Sequence, residues 1–236
     1  MVTGKTRWYN IPVINVIFES HSTTFDNESE ISSGHSDAKL SPLGLEQTLE
    51  LGKRYKDNLP DAVFCSDLSR SYETGEKAFE GTEVPIIKDA RLRECDYGDF
   101  ERHPSDEVKP MKENCIEKPF PSGESYRQCA ERMKAFLQDL LKKHGGETVM
   151  IIGHRATQYG LEHWIKGIPL KKVVTAPWKW QPGWTYQLQQ CPNPDCESVN
   201  ISENGITNRV RAGYETDGVN STPTKYRCNT CGEGFN

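Results

Sequence analysis

The chain contains no run approaching the roughly 20 apolar residues that a membrane-spanning helix needs, and no block of lysines and arginines. It also has no internal repeat and no low-complexity tract. The first absence weighs against a helical membrane span. The second, with a net charge of −5, weighs against a broad contact with nucleic acid or anionic lipid. The other two exclude a solenoid and leave no tract too polar to pack. Residues 1–7 are basic and residues 11–18 mostly apolar, which imitates a leader. Pro12 and Asn15 interrupt that run, however, and Glu19 closes it without a small-residue cleavage site. It reads as a buried first strand, and the expected compartment is the cytoplasm.

What is present is a globular composition, 35% hydrophobic and 27% charged over 236 residues, with room for one α/β domain and a small appendage. Residues 13–18 form a short apolar run ending in polar residues, as a buried parallel strand does. Ser41-Pro42 opens a helix, since serine caps well and proline suits the first helical position. Leu45, Leu49, Leu51, Gly52 and Tyr55 keep helical spacing up to Pro60. A strand over 62–65, a helix over 68–79 and a short strand over 85–88 follow. Residues 91–122 carry prolines and charges with little periodicity and read as loops and short helices; the polar stretch 101–120 reads as a surface loop.

From Glu124 the pattern sharpens. Tyr126, Cys129, Met133, Phe136, Leu137, Leu140 and Leu141 fall on one helical stripe, which Gly145-Gly146 ends. A strand over 148–152 and a helix from near Ala156 come next. The Trp-rich segment 178–188 reads as a last edge strand, with Trp178, Trp180 and Trp184 as packing residues. Alternating strands and helices predict a mostly parallel sheet with helices on both faces.

Ligands bind beyond the carboxyl ends of strands in such sheets. His21 follows the first strand and His154 the strand over 148–152, so both stand where a site is built. His35, His103, His144 and His163 lack that placement and read as surface or packing residues. Around the two histidines lie Ser20-His21-Ser22-Thr23-Thr24-Phe25-Asp26-Asn27, then Gly34, Asp37, Leu40-Ser41, Gly44 and Gln47, then Ser66-Asp67-Leu68-Ser69-Arg70 with Glu73-Thr74, then Leu92-Arg93-Glu94-Cys95-Asp96-Tyr97-Gly98, and finally Gly153-His154. In order and spacing, over about residues 12–188, these words resemble the histidine phosphatase superfamily, also called the phosphoglycerate-mutase-like family.

The resemblance implies two-step phosphoryl transfer. His21 would attack phosphorus in line and form a phosphohistidine, because neutral imidazole is both a nucleophile and a good leaving group near neutral pH. His154 and Arg70 would bind the equatorial oxygens, where charge spreads in the transition state. Glu94 would protonate the departing oxygen and then deprotonate water. The family opens with Arg-His-Gly-Glu-Thr-x-x-Asn, and here Ser20 stands where that arginine is expected. Such a loss costs roughly 10³-fold in rate if nothing replaces it. Arg155, next to His154, is the candidate replacement, and Ser20, Ser22, Thr23, Thr24 and Asn27 would supply neutral contacts. The expected activity is that of a phosphohydrolase on a small phosphorylated substrate, needing no cofactor for catalysis. A phosphodiesterase or mutase on the same scaffold, and a silent phospho-ligand-binding protein, stay open as alternatives.

The eight cysteines divide unevenly. Cys65, Cys95, Cys115 and Cys129 are scattered and read as reduced, partly buried thiols. Cys191, Cys196, Cys228 and Cys231 form two close pairs, which suit tetrahedral Zn²⁺. Val199, Ile201, Ile206, Val210 and Tyr226, punctuated by Gly205, Gly213 and Gly218, supply β-forming residues between them. The segment resembles a zinc ribbon, so the expected division is 1–188 for the α/β domain and 189–236 for the ribbon. Four thiolates leave no open position, and so short a segment needs metal to fold; the Zn²⁺ is expected to be structural. For the ribbon, docking of a protein partner, contact with a second copy of the chain and a wall of the substrate pocket stay open.

Overall fold

The structure, a computed structural model, describes residues 12–189 and, beyond them, the backbone of three short strands. The chain runs through β1 (Ile14–Ser20), α1 (Phe25–Glu28), β2 (Ile31–Ser32), α2 (Pro42–Tyr55), β3 (Ala62–Cys65), α3 (Ser69–Ala78) and β4 (Ile86–Lys88). It continues through β5 (His103–Pro104), α4 (Ser105–Val108), α5 (Tyr126–Lys143), β6 (Thr148–Gly153), α6 (Arg155–Trp164), α7 (Leu170–Thr175) and β7 (Trp184–Leu188). The main sheet has the order β4-β3-β6-β1-β7. Its first four strands are parallel and β7 adds an antiparallel edge.

Alternation along β3 and β6 divides the core. Ala62 and Phe64 with Val149 and Ile151 face α5 and α6, meeting Phe136, Leu137, Leu140 and Leu161. Val63 and Cys65 with Met150 and Ile152 face the other way, toward Leu51 of α2 and Phe79 beyond α3. Both faces are therefore covered, which is why the central strands are apolar throughout. Residues 95–120 carry a second core of their own: Cys95, Tyr97, Val108, Ile116 and Phe120 pack on α5, α6 and α7. That segment is thus fastened to the domain along much of its length. Within it, β5 pairs with β2 from the earlier part of the chain. They and α7 are too short to leave a periodic trace in the sequence.

Local chemistry sets the helix ends. Ser41 accepts from the N–H of Gly44 at the start of α2, with Pro42 in the first turn. Ser125 and Gln128 form a reciprocal capping box at α5. The apolar face of α2 differs from the spacing of its leucines. Leu45 and Leu49 are 41% and 58% exposed, while Gly44, Thr48 and Leu51 are buried. The backbone approaches too closely on the inner side for larger residues: a Cβ at Gly44 would lie 2.0 Å from the Thr23 carbonyl oxygen, and one at Gly52 2.2 Å from that of Ala78. The last strand starts at Trp184, leaving Trp178 and Trp180 ahead of it.

Further on, β8 (Ile201–Glu203), β9 (Tyr226–Cys228) and β10 (Gly234–Phe235) form a separate antiparallel sheet in the order β10-β9-β8. Cys228 ends β9. Cys191, Cys196 and Cys231, and with them the expected four-thiolate site, lie outside the described residues.

Candidate active site

β1 and β6 are neighbours at the centre of the sheet, and Ser20 pairs in register with Gly153. The next residue on each strand is a histidine, so two residues remote in sequence leave the sheet side by side. The N–H of His21 donates to the Gly153 carbonyl at 2.9 Å. The two imidazole centroids are 5.0 Å apart, close to the spacing of adjacent strands. They open into a cavity of about 730 Å³ that Arg70 and Glu94 also line, within the range of small-molecule sites.

The tautomers follow from the partners. Nδ1 of His21 lies 2.8 Å from the Ser22 carbonyl oxygen, which can only accept, so Nδ1 carries the proton and Nε2 keeps its lone pair. Burial, and then the Arg70 charge, pull the pKa of His21 down to about 3, so its ring is neutral at physiological pH. His154 is 2% exposed, and burial followed by Arg70 and His21 holds it well below the usual imidazole range. Its Nε2 meets the Ser66 hydroxyl at 2.6 Å, while its Nδ1 is buried without a partner among the described residues. Ser66 is fully buried. Donating its O–H to Nε2 satisfies that proton and leaves Nδ1–H of His154 free to donate into the cavity. Thr157, one turn into α6, accepts from the His154 N–H at 3.1 Å and fixes the backbone there.

Arg70, on the first turn of α3, is 2% exposed. It donates to the carbonyls of Ser36 and Gly34 at 2.9 and 2.7 Å, which leaves three of its five N–H groups for a ligand. Thr74 is one turn further on. Its hydroxyl donates to the Arg70 carbonyl and accepts the Ser22 N–H, tying α3 to the loop after β1. Glu94 sits at the N-terminus of α6, its carboxylate accepting from the N–H groups of Cys95, Arg155 and Ala156 at 2.8, 3.2 and 3.2 Å. Arg132 of α5 holds the carbonyls of Arg91, Arg93 and Glu94, each at 2.8 Å. Nε2 of His35 donates to the same Glu94 carbonyl. Ser66, Arg132 and His35 were not among the expected site residues; Ser66 at least stands inside a family word, whereas Arg132 sits beside an otherwise apolar stripe with no local signal.

Ser20, Ser22, Asn27 and Arg155 line the cavity as well. Thr24 does not. Its hydroxyl caps α1 by accepting the Asn27 N–H, and the residue is fully buried, so the expected substrate contact is corrected to a structural one. The Arg155 guanidinium stacks 4.6 Å from the centroid of Trp178, whose indole N–H is fixed by Gln158. The preceding Glu19 is buried and paired with Arg54 at 2.7 Å and with Tyr55. Burial pushes its carboxyl pKa up, against the Arg54 charge. Elsewhere, ligand atoms of Cys95, Glu124 and Cys129 lie within 4.8 Å of one another. Arg132 already grips the Glu124 carboxylate through two nitrogens, so a guanidinium fills the place of a cation there. Among the described residues no helix is long and apolar enough to cross a membrane.

A sequence model described as the histidine phosphatase superfamily (branch 1) matches residues 16–182. A putative phosphoserine phosphatase 2 of Hydrogenobacter thermophilus is 26% identical over 161 residues, covering 65% of this chain and 79% of the relative. A probable phosphoglycerate mutase GpmB of Klebsiella pneumoniae is 28% identical over 165 residues, covering 66% and 77%. Among solved structures, YhfR of Bacillus stearothermophilus superposes with a TM-score of 0.64 at 26% identity, over 76% of this chain and 92% of that one.

Proposed function

The chain belongs to the histidine phosphatase superfamily, and from that premise we propose that it is a phosphohydrolase acting through His21 on a small phosphate monoester. Relatives described as phosphatases and mutases of small phosphorylated compounds support this reading. The observation that carries it is the pair of neutral imidazoles 5.0 Å apart, one offering a lone pair at Nε2 and the other an unpartnered Nδ1–H.

Nε2 of His21 attacks phosphorus, and the N–P bond forms as the bond to the ester oxygen breaks. Glu94 gives its proton to that oxygen, so the alcohol leaves neutral. Water then attacks phosphorus and gives a proton back to Glu94; phosphate departs and His21 regains its lone pair. Arg70 and Nδ1–H of His154 hold the equatorial oxygens, where preorganised donors act most strongly. Ser20 brings a hydroxyl where the family word has a guanidinium. A cavity with one fewer cation also suits a phosphodiester, which carries less charge on phosphorus, and that is the second reading. Cys191, Cys196, Cys228 and Cys231 are proposed to hold a structural Zn²⁺, on the strength of their spacing.

Phosphate release from a panel of mono- and diesters, with His21→Ala beside it, tests the assignment. Release by the parent alone, with acid-labile radiolabelled phosphate trapped on the chain, is the expected result. Equal rates for the two proteins overturn it, and turnover confined to diesters favours the second reading.

A further inference from the structure

Three consecutive residues in the loop before α2 reach two parts of the site at once. The carbonyls of Gly34 and Ser36 accept from Arg70 at 2.7 and 2.9 Å. Between them, Nε2 of the His35 ring lies 2.8 Å from the Glu94 carbonyl oxygen. A carbonyl can only accept, so Nε2 carries the proton and donates. Two carboxylates stand further off, Asp96 at 3.8 Å from Nδ1 and Glu124 at 3.7 Å from Nε2. The His35 side chain is 23% exposed, so water competes poorly for the bond. Gly34 lines the cavity and His35 does not; the ring works from behind the wall.

The segment that carries Glu94 grips the same loop again. The Glu101 carboxylate accepts the His35 N–H and the Ser36 O–H, and the Arg102 N–H donates to the Ser32 carbonyl at 2.8 Å. Gly34 takes a left-handed φ of +55° there, and a Cβ on it would come 2.6 Å from Oε1 of Glu101. Arg70 comes from α3 and Glu94 from the loop after β4, so nothing in the chain itself sets their spacing. In-line transfer depends on that spacing, since a misplacement of about 1 Å costs about 10²-fold. Arg132 ties the Glu94 carbonyl to α5; His35 ties it to the loop that holds Arg70.

We infer that His35 is a positioning residue, which fixes the spacing between the guanidinium on the transferring phosphoryl group and the acid on the departing oxygen. What that spacing does rests on the phosphohydrolase reading; the tie itself is independent of it.

Ester kinetics and amide exchange test it on the full chain. The parent and the variants His35→Gln, His35→Asn and His35→Ala are compared on two esters. p-Nitrophenyl phosphate has a leaving group that departs without a proton, whereas the best alkyl monoester of the panel needs one from Glu94. His35→Ala should lower kcat on the alkyl ester by about 10-fold, the size of one hydrogen bond, and by clearly less on p-nitrophenyl phosphate. His35→Gln, whose amide nitrogen stands where Nε2 was, should recover most of the loss, and the shorter His35→Asn should not. An equal loss on the two esters, no loss on either, or a His35→Gln variant no better than His35→Asn overturns the inference. Hydrogen exchange at the N–H groups of Cys95, Arg155 and Ala156, which the Glu94 carboxylate accepts, reads the tie without turnover. His35→Ala should speed these three by about 10-fold while the amides of β6 keep the parent's rates, the sign of a local opening. Unchanged exchange at the three, or faster exchange across β6 as well, overturns the tie even if no ester is hydrolysed. A parent no faster than His21→Ala, with the exchange shifts present, instead sinks the phosphohydrolase reading and leaves the tie standing.

Discussion

Replacing Ser66 with alanine isolates the part played by a proton position. In the parent the Ser66 hydroxyl, 2.6 Å from Nε2 of His154, fixes the tautomer that puts N–H on Nδ1, the buried atom left without a partner. Alanine removes the one hydrogen bond that Nε2 makes among the described residues. The buried Nε2 then lacks a donor, which costs about 1–3 kcal/mol of stability. The ring can also move its proton to Nε2 and turn a lone pair toward the anion. Removing one preorganised donor outright lowers kcat by about 10² to 10³; here the ring stays and only its proton distribution changes, so a loss near the lower figure, about 10², is expected. The assay pairs kcat on the best ester with ¹⁵N NMR of the His154 ring, and Ser66→Thr, which keeps a hydroxyl, should recover most of the activity. In a His154→Gln background Ser66→Ala should cost little more, since the two act as one unit. A folded Ser66→Ala protein with full kcat, or one whose loss is the same without His154, refutes the reasoning.

Stability should depend on pH through the same imidazoles. Their folded pKa values lie below the unfolded 6.5, at about 3 for His21 and also depressed for His154, so the unfolded chain binds more protons on the acid side. Urea midpoints should be level above pH 7 and fall as the pH drops from about 6.5 toward 3; a fall no shallower in His21→Asn argues against the His21 contribution. Gly44→Ala drives a Cβ to within 2.0 Å of the Thr23 carbonyl oxygen, and overpacking of that kind costs about 1–3 kcal/mol; an unchanged melting temperature counts against the close approach of α2. Arg132→Met leaves the Glu124 carboxylate without its guanidinium and frees the carbonyls around Glu94, so both stability and kcat should drop, with a kcat equal to the parent's showing that the clamp is not needed. Elemental analysis should find about one Zn²⁺ per chain, lost in a Cys228→Ser, Cys231→Ser double variant; metal-free protein as purified contradicts the ribbon.

Much of the main sheet was legible because its strands are short, apolar and separated by capped helices. The strand over 62–65 and the Ser41-Pro42 helix start are read at the residue level for that reason. The inner face of α2 was not, because Gly44, Thr48 and Leu51 turn inward while Leu45 and Leu49 face out, and glycine stands where the backbones of Thr23 and Ala78 come close. The site was legible as words: His21 and His154 each follow a strand, and a parallel register sets Ser20 against Gly153. What the words did not carry is the relation between remote side chains. Thr24 sits within a family word and yet spends its hydroxyl on a helix cap. Lys112 sits in a stretch with no motif, and only the fold brings it into the wall of the cavity that His21 and His154 share. The same holds for the arginine missing at position 20. Whether its charge is replaced depends on where a cation is held, not on how near it is in sequence. Arg155 adjoins His154 in the chain, but Trp178 takes the face of its guanidinium, and Arg54 is neutralised by Glu19. Among the charges around the two imidazoles, Arg70 therefore acts most strongly on both.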